Sequence, residues 1–151
     1  LAYSLRWQQR YEEARTEIAA VLEHDDPARV EALFIDARQV RAQLDLDAGD
    51  ALRARTELVA ILPGYRSRQR DLPVAQSLLM LTAAERVLGN LDAAGAAQDE
   101  ALKIIQRIAP DTAIEAEAHL EGARLLRARD QVDAALASYR RAQQCLERQR
   151  D

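Results

Sequence analysis

The sequence contains a single cysteine, Cys145, which excludes a disulfide bond within the chain. It has no run of about 18 or more apolar residues and no signal-peptide pattern at its start, so neither a membrane-spanning helix nor a secretory leader is expected. Only five glycines and four prolines occur, and they form no glycine-rich phosphate-binding loop. We interpret Cys145 as a small buried hydrophobic residue near the last helix.

Lysine is almost absent as well. The positive charge comes from 20 arginines and one lysine, Lys103, against 25 acidic residues, which gives a formal net charge of -4. A nucleic-acid-binding surface needs a clustered basic excess that this balance does not supply. We therefore expect no direct binding of nucleic acid, no membrane association and a cytoplasmic location. Residues 1–7 are interpreted as the remnant of an earlier helix, and because the chain begins within it at Leu1 we expect a fragment of a longer protein.

An internal repeat is the main feature that is present. The segments Ala14–Leu22 and Ala54–Leu62 both begin Ala-Arg-Thr-Glu and continue with matched apolar residues. Equivalent turn positions are Gln9, Gly49, Gly89 and Asp130, and each is followed five residues later by Ala14, Ala54, Ala94 and Ala135. The next two matched positions lie four and then three residues further on, which is the spacing of one helix face. They are apolar except for Gln98.

This periodicity predicts an all-α chain of about seven antiparallel helices. We expect them at about 10–24, 27–46, 50–62, 71–88, 91–108, 110–128 and 132–149. Asp26 and Pro27 mark one start, and Thr112 with Glu115 has the spacing of a capping box. Pro63 and Gly64 are expected to exclude residues 63–70 from a continuous helix. The whole chain, 1–151, is then one repeat domain, with an orphan second helix in 1–24 and hairpins at about 27–62, 71–108 and 110–149.

The repeats resemble the tetratricopeptide repeat (TPR), and most clearly so over residues 116–142. The motif positions there are a small residue at Gly122 or Ala123, then Leu126, the turn at Asp130, and Ala135, Tyr139 and Ala142. The period of about 40 to 42 residues is similar to that of the long-repeat variety of the family. The resemblance implies an α-α superhelix whose first helices line a concave groove that binds peptides or helices. Arg15, Arg55, Glu17 and Glu57 would then lie on the outward surface of the repeats.

The resemblance also implies which residues face the groove. Two helix phasings are open, and the residues that face inward in both are Gln39, Leu79, Arg86, Leu120 and Arg127. One of the two phasings adds Gln43, Met80 and Arg124. Because the arginines can bind carboxylates bidentately, we expect an acidic or acidic-amphipathic segment as the partner.

Catalysis is not expected, because the sequence shows no nucleophile and base at a recognisable spacing. His24 and His119 are interpreted as solvent-facing histidines, and no metal or cofactor site is assigned. Arg66, Arg68 and Arg70 could bind phosphate or an acidic partner, but we interpret them as a solvated loop.

The leading hypothesis is therefore a non-catalytic protein-binding scaffold from a bacterial regulatory or assembly protein. Two alternatives remain open. One is a homo-oligomerisation module, for example a homodimer, that uses exposed end faces such as Tyr3, Trp7 and Tyr11 or Leu136 and Cys145. The other is a regulatory sensor that closes around a small ligand or a signalling peptide.

Overall fold

The computed structural model describes residues 27–150, with side chains from residue 34 onward, together with five positions of the preceding segment. Within 27–150 the chain forms six α-helices and no strand. Their bounds are α1 Pro27–Asp47, α2 Ala51–Ser67, α3 Asp71–Val87, α4 Leu91–Ile108, α5 Ala113–Ala128 and α6 Val132–Arg148. None of these helices is long and apolar enough to cross a membrane. The all-α prediction is confirmed.

The predicted first helix lies mostly outside the described residues. Its described positions, all helical, are Glu12, Glu13, Thr16, Glu17 and Ala20. Tyr3, Trp7, Tyr11, Arg15 and His24 are outside the described part of the chain, so the predictions made for them remain predictions.

The prediction that Pro63 and Gly64 interrupt the helix is wrong, because α2 continues through both to Ser67. A proline inside a helix removes one backbone hydrogen bond and costs about 3 kcal/mol. Contacts with α1 offset this cost. A Cβ atom on Gly64 would lie 2.5 Å from Ile35 Cδ1, so the glycine allows α1 to approach closely. The next residue, Tyr65, is fully buried, and its hydroxyl donates to Asp36 Oδ1 at 2.8 Å.

Three of the four predicted turn positions share one helix-ending geometry. Gly49, Gly89 and Asp130 have φ values of 86°, 82° and 59°, in the left-handed region. The amide that follows each of them donates to a carbonyl five residues before that amide: Asp50 to Asp45 at 2.8 Å, Asn90 to Glu85 at 2.8 Å and Gln131 to Leu126 at 2.9 Å. These are the bonds of the Schellman motif, which ends a helix and reverses the chain. The repeat register is therefore visible in the backbone.

The six helices pack in two layers. Each helix contacts the next along the chain, and α3 also contacts both α1 and α5. Among the described helices, α2, α4 and α6 make no direct contact with one another. We call α1, α3 and α5, which are connected through α3, the first layer, and α2, α4 and α6, which contact only helices of the first layer, the second layer.

Small residues allow this close packing. Ala42, Ala75, Ala101 and Ala118 are fully buried in the main core, where the larger side chains include Leu58, Ile61 and Ile105. A second, much smaller core between α5 and α6 consists of Ala116, Ala142 and Cys145, with Leu120 packed against it. The expectation that Cys145 is a buried residue near the last helix is confirmed.

Gln98, the polar exception in the repeat pattern, is buried between helices. Its Nε2 donates to the Ala118 carbonyl of α5 at 2.6 Å. A Cβ atom on Gly122 would lie 2.9 Å from that same Nε2, so the glycine of the TPR-like motif makes room for the amide. The polar residue thus links α4 to α5, and an apolar residue in this slot could not form that hydrogen bond.

The repeated Ala-Arg-Thr-Glu segment is not simple outward surface in its second copy. Arg55 Nε lies 2.7 Å from Oε1 of Glu85, a buried carboxylate on α3. Glu57 pairs with Arg38 and, at 2.7 Å, with Arg41, both on α1. Arg55 and Glu57 are partly exposed, and both also join neighbouring helices, which the sequence interpretation as repeat surface did not anticipate.

These ion pairs predict an acid-sensitive stability. Burial opposes the charged form of Glu57, but the hydrogen bonds and charges of Arg38 and Arg41 outweigh it and hold the pKa of Glu57 below its ordinary value of 4.5. A depressed carboxylate pKa adds stability above the unfolded-state value, and this stability is lost as the pH falls through the folded-state value. Glu57→Gln should therefore lower the free energy of unfolding by about 1–2 kcal/mol at pH 7. Between pH 5 and pH 3 this free energy should fall less for the variant than for the wild type.

Urea unfolding at each pH measures both quantities. The matched control is Asp99→Asn, which removes an exposed carboxylate on α4. An unchanged pH profile for Glu57→Gln would show that the arginine pairs do not contribute to stability.

Candidate functional site

A cavity lies between the helices of the first layer. Its volume is about 270 Å³, and it is lined by α1, α3 and α5. Helix α1 contributes Val40, Gln43 and Leu44, α3 contributes Met80, and α5 contributes Glu117. Apolar side chains and side-chain amides make up most of the lining, so the cavity can hold an apolar group and hydrogen-bond its polar neighbours.

Two of the residues proposed to face the groove line this cavity. Gln39 is half-buried, and its Nε2 donates to the Pro73 carbonyl at 3.1 Å and to Ser77 Oγ at 2.8 Å. Leu79 is only 3% exposed and also belongs to the main core. Gln39 therefore joins α1 to α3, and Leu79 forms part of the cavity floor.

Five further lining residues lie on α1 and α3. Val40 and Leu44 are one turn apart, as are Gln39 and Gln43, while Gln76 precedes Met80 by one turn. Gln43 and Met80 were inward in one of the two helix phasings. Val40, Leu44, Gln76 and Glu117 were missed, although helical spacing would have found three of them: Val40 is three residues before Gln43, Leu44 is four after Val40, and Gln76 is four before Met80.

The arginines proposed for the groove lie further along the first layer. Arg86 Nη2 is 3.5 Å from Glu121 Oε2, and Arg124 Nη1 pairs with Oε1 of the same carboxylate. Glu121 is itself buried. One buried carboxylate therefore engages both guanidinium groups, a contact that the sequence analysis did not anticipate.

Leu120 and Arg127 do not line the cavity. Leu120 is half-buried against the small core between α5 and α6, while Arg127 is exposed in the last turn of α5. The structure thus brings together Gln39 and Leu79, places Arg86 and Arg124 around Glu121, and leaves Leu120 and Arg127 apart from both groups.

Glu117 is the charged residue of the cavity lining. Its side chain reaches water, yet partial burial and then the negative charge of Glu121 raise its pKa above the ordinary value, while Arg124 acts in the opposite direction. The acidic face of α5 thus carries two neighbouring carboxylates, of which only Glu121 has the arginine bonds described above.

The Arg66, Arg68 and Arg70 cluster does not converge on one point. Arg66 pairs with Glu100, Arg68 Nη1 donates to the Gly64 carbonyl at 3.0 Å, and Arg70 Nη1 donates to Asp36 at 2.8 Å. Arg66 belongs to the last turn of α2 and not to a loop. The three guanidinium groups therefore point to different partners and do not form a shared anion site.

His119 contradicts the sequence interpretation most directly. It is 5% exposed, not solvent-facing, because it lies on the side of α5 that packs against α6. Its Nε2 is 3.6 Å from Glu115 Oε1.

The predicted capping box is only partly formed. Asp111 has a φ of 55°, and its amide donates to Glu115 Oε2 at 2.6 Å. The Thr112 side chain caps no amide.

Searches for related proteins leave the family undefined. Comparison of the chain with protein-family models, with curated proteins and with solved structures found no match in any of the three.

Proposed function

We propose that this protein is a non-catalytic scaffold that binds a peptide or helix of another protein along the first layer, α1, α3 and α5. The observation that carries the proposal is the cavity of about 270 Å³ between these helices, with its apolar floor and amide-bearing rim. Concave, mostly apolar pockets with a few polar groups are typical of binding sites.

The packing of the two layers supports a TPR-like superhelix as part of this proposal. Contacts join α1 to α3 and α3 to α5, whereas the helices of the second layer stay apart. A stack that curves with its first helices on the inner side has this arrangement, because the inner helices converge and the outer helices spread. The cavity would then lie on the concave side, where such repeats present an extended binding surface.

The lining chemistry fits an amphipathic segment. Val40, Leu44 and Met80 offer apolar surface, and methionine adapts its shape to different side chains. Gln43 and Gln76 are exposed at the rim, where amides can both donate to and accept from a peptide. Because Arg86 and Arg124 already bond Glu121, the preference for an acidic segment depends mainly on the exposed Arg127.

A pair of matched substitutions tests the groove. Val40 lines the cavity and is 51% exposed, while Val59 on α2 is 53% exposed and lies outside it. Peptides of about 15 residues would be selected from a displayed random library on the wild-type protein, and their affinities measured by fluorescence anisotropy. Val40→Arg should weaken binding at least tenfold, or about 1.4 kcal/mol, because it places a charge on the apolar floor.

Val59→Arg should leave the affinity unchanged, since both substitutions add the same charge at equal exposure. Equal affinities for the two variants would contradict the groove, as would a failure to select any peptide.

The same peptides also test the charge preference. If the selected peptides are acidic, Arg127→Glu should weaken their binding more than Arg140→Glu, which alters an exposed arginine on α6.

Self-association is a second candidate, favoured by one observation. Val132, Leu136 and Leu146 are exposed and share one face of α6, and α6 packs only on α5 among the described helices. Cys145 is buried and does not belong to this face. Light scattering over a concentration series distinguishes the two candidates, because self-association through this face raises the measured mass with concentration.

A further inference from the structure

The hairpin of α5 and α6 brings three potential metal ligands together. Glu115 and His119 lie one turn apart on α5, and Cys145 faces them from α6. One carboxylate oxygen, one imidazole nitrogen and the thiol sulfur all lie within 4.8 Å of one another. All three residues are buried. Cys145 follows His119 by 26 residues and Glu115 by 30, so only the packing of α6 on α5 brings the thiol to the other two side chains.

We propose that Glu115, His119 and Cys145 bind a divalent transition-metal ion of the zinc type. Oxygen, nitrogen and sulfur are the three donor types that zinc takes in proteins, at bond lengths of about 2.0–2.3 Å. Around a tetrahedral ion, bonds of this length place neighbouring donors about 3.3–3.8 Å apart. His119 Nε2 and Glu115 Oε1 are 3.6 Å apart, close to this separation, while Cys145 Sγ lies within 4.8 Å of both and has to move closer to bind the same ion.

The surroundings hold the ligands in position. Glu115 Oε2 accepts a hydrogen bond from the Asp111 amide at 2.6 Å, which fixes the carboxylate and leaves Oε1 directed toward His119. Ser138 Oγ on α6 donates to the main-chain carbonyl of His119 at 2.8 Å and joins the two helices at the site. Such outer contacts orient metal ligands in proteins.

Charge and access also suit a cation. A thiolate and a carboxylate together neutralise a divalent ion, so the loaded site would carry no net charge in its buried position. Arg148 lies nearby but bonds Asp111, and Arg141 is exposed. Of the three ligands, His119 also lines a cavity of about 320 Å³ between α4, α5 and α6, whose rim includes the exposed Arg129. Three protein ligands leave a fourth position for water.

A thiol catalyst is the less favoured use of the same residues. Burial and then the nearby carboxylate of Glu115 raise the pKa of Cys145, so without a metal the thiol keeps its proton and is a weak nucleophile. When an ion binds, the metal–sulfur bond forms, the S–H bond breaks and the proton passes to solvent. The ion would stabilise the end of the molecule where the apolar core is smallest.

Cobalt(II) titration of the full 151-residue chain, after removal of metals with a chelator, tests the proposal. We expect one equivalent to bind, with a thiolate-to-cobalt charge-transfer band in the near ultraviolet and the strong visible bands of a four-coordinate ion. Zinc should displace the cobalt and, at a hundred times its Kd, raise the thermal midpoint by about 5–10 °C.

Variants assign the ligands. Cys145→Ala should abolish the charge-transfer band and weaken binding at least about a hundredfold, and His119→Gln should weaken it similarly. The matched control is Asp133→Asn, an exposed carboxylate on α6 outside the cluster, which should bind like the wild type. If the wild-type protein shows no charge-transfer band at saturating cobalt, the proposal is overturned, whether or not the variants fold. A band that persists in folded Cys145→Ala overturns it as well.

Discussion

Tyr65→Ala should destabilise the protein by about 3–5 kcal/mol, the largest effect we expect of a single substitution. Among the residues whose side chains the structure describes, Tyr65 is the largest that is fully buried, and it lies at a point where α1 and α2 meet. Its removal leaves a cavity in the main core and ends the contact that holds the last turn of α2 beyond Pro63. The thermal midpoint should fall by about 10 °C or more, and helicity should decrease as the last turn frays.

Tyr65→Phe separates the ring from its hydroxyl. The hydroxyl donates to Asp36, which also accepts from Arg70, so the carboxylate stays bonded when the hydroxyl is removed. This variant should cost only about 1 kcal/mol. Chemical unfolding followed by circular dichroism measures both variants. If Tyr65→Ala costs no more than Tyr65→Phe, the ring does not stabilise the passage of α2 through Pro63 and Gly64.

Ala94→Glu should cost about 2 kcal/mol or more, because it forces a charged side chain into a fully buried repeat position. The equivalent positions Ala54 and Ala135 are buried too, so the repeat holds a small residue wherever this first turn packs. The thermal midpoint, measured by circular dichroism or calorimetry, should fall by several degrees.

Ala93→Glu is the matched control. Ala93 is exposed in the same first turn of α4, so both variants gain the same small benefit of a negative charge near a helix N-terminus, about 0.3–1 kcal/mol. Ala93→Glu should therefore be neutral or slightly stabilising. A neutral Ala94→Glu would show that the repeat register is wrong, since the register assigns Ala94 and not Ala93 to the interior.

Much of the fold could be predicted because its signals are local. The apolar spacing of each helix, Pro27 at the start of α1 and the turn positions Gly49, Gly89 and Asp130 all act within a few residues of where they stand. The six described helices accordingly begin and end within about five residues of the predicted bounds, and the least accurate bound is the end of α2. That end depends on contacts with α1, which no local pattern encodes.

The candidate groove could be predicted only in part, for the same reason. The resemblance to the TPR predicted that Gln39 and Leu79 face the groove, and both line the cavity. It could not show that Glu121 would bond Arg86 and Arg124, because a buried carboxylate and an exposed one look identical in a sequence. The charge that a partner meets therefore differs from the charge counted along the helices.

The sequence by itself determined the helices, their order and the repeat register, since helix periodicity, capping and turn conformation are properties of short segments. The tertiary structure alone decided which side chains meet across helices. In that structure α2 continues through Pro63, and Arg55 and Glu57 form ion pairs with side chains of neighbouring helices. It also buried His119 beside Glu115 and Cys145, because distances between helices depend on packing against residues far away in the chain.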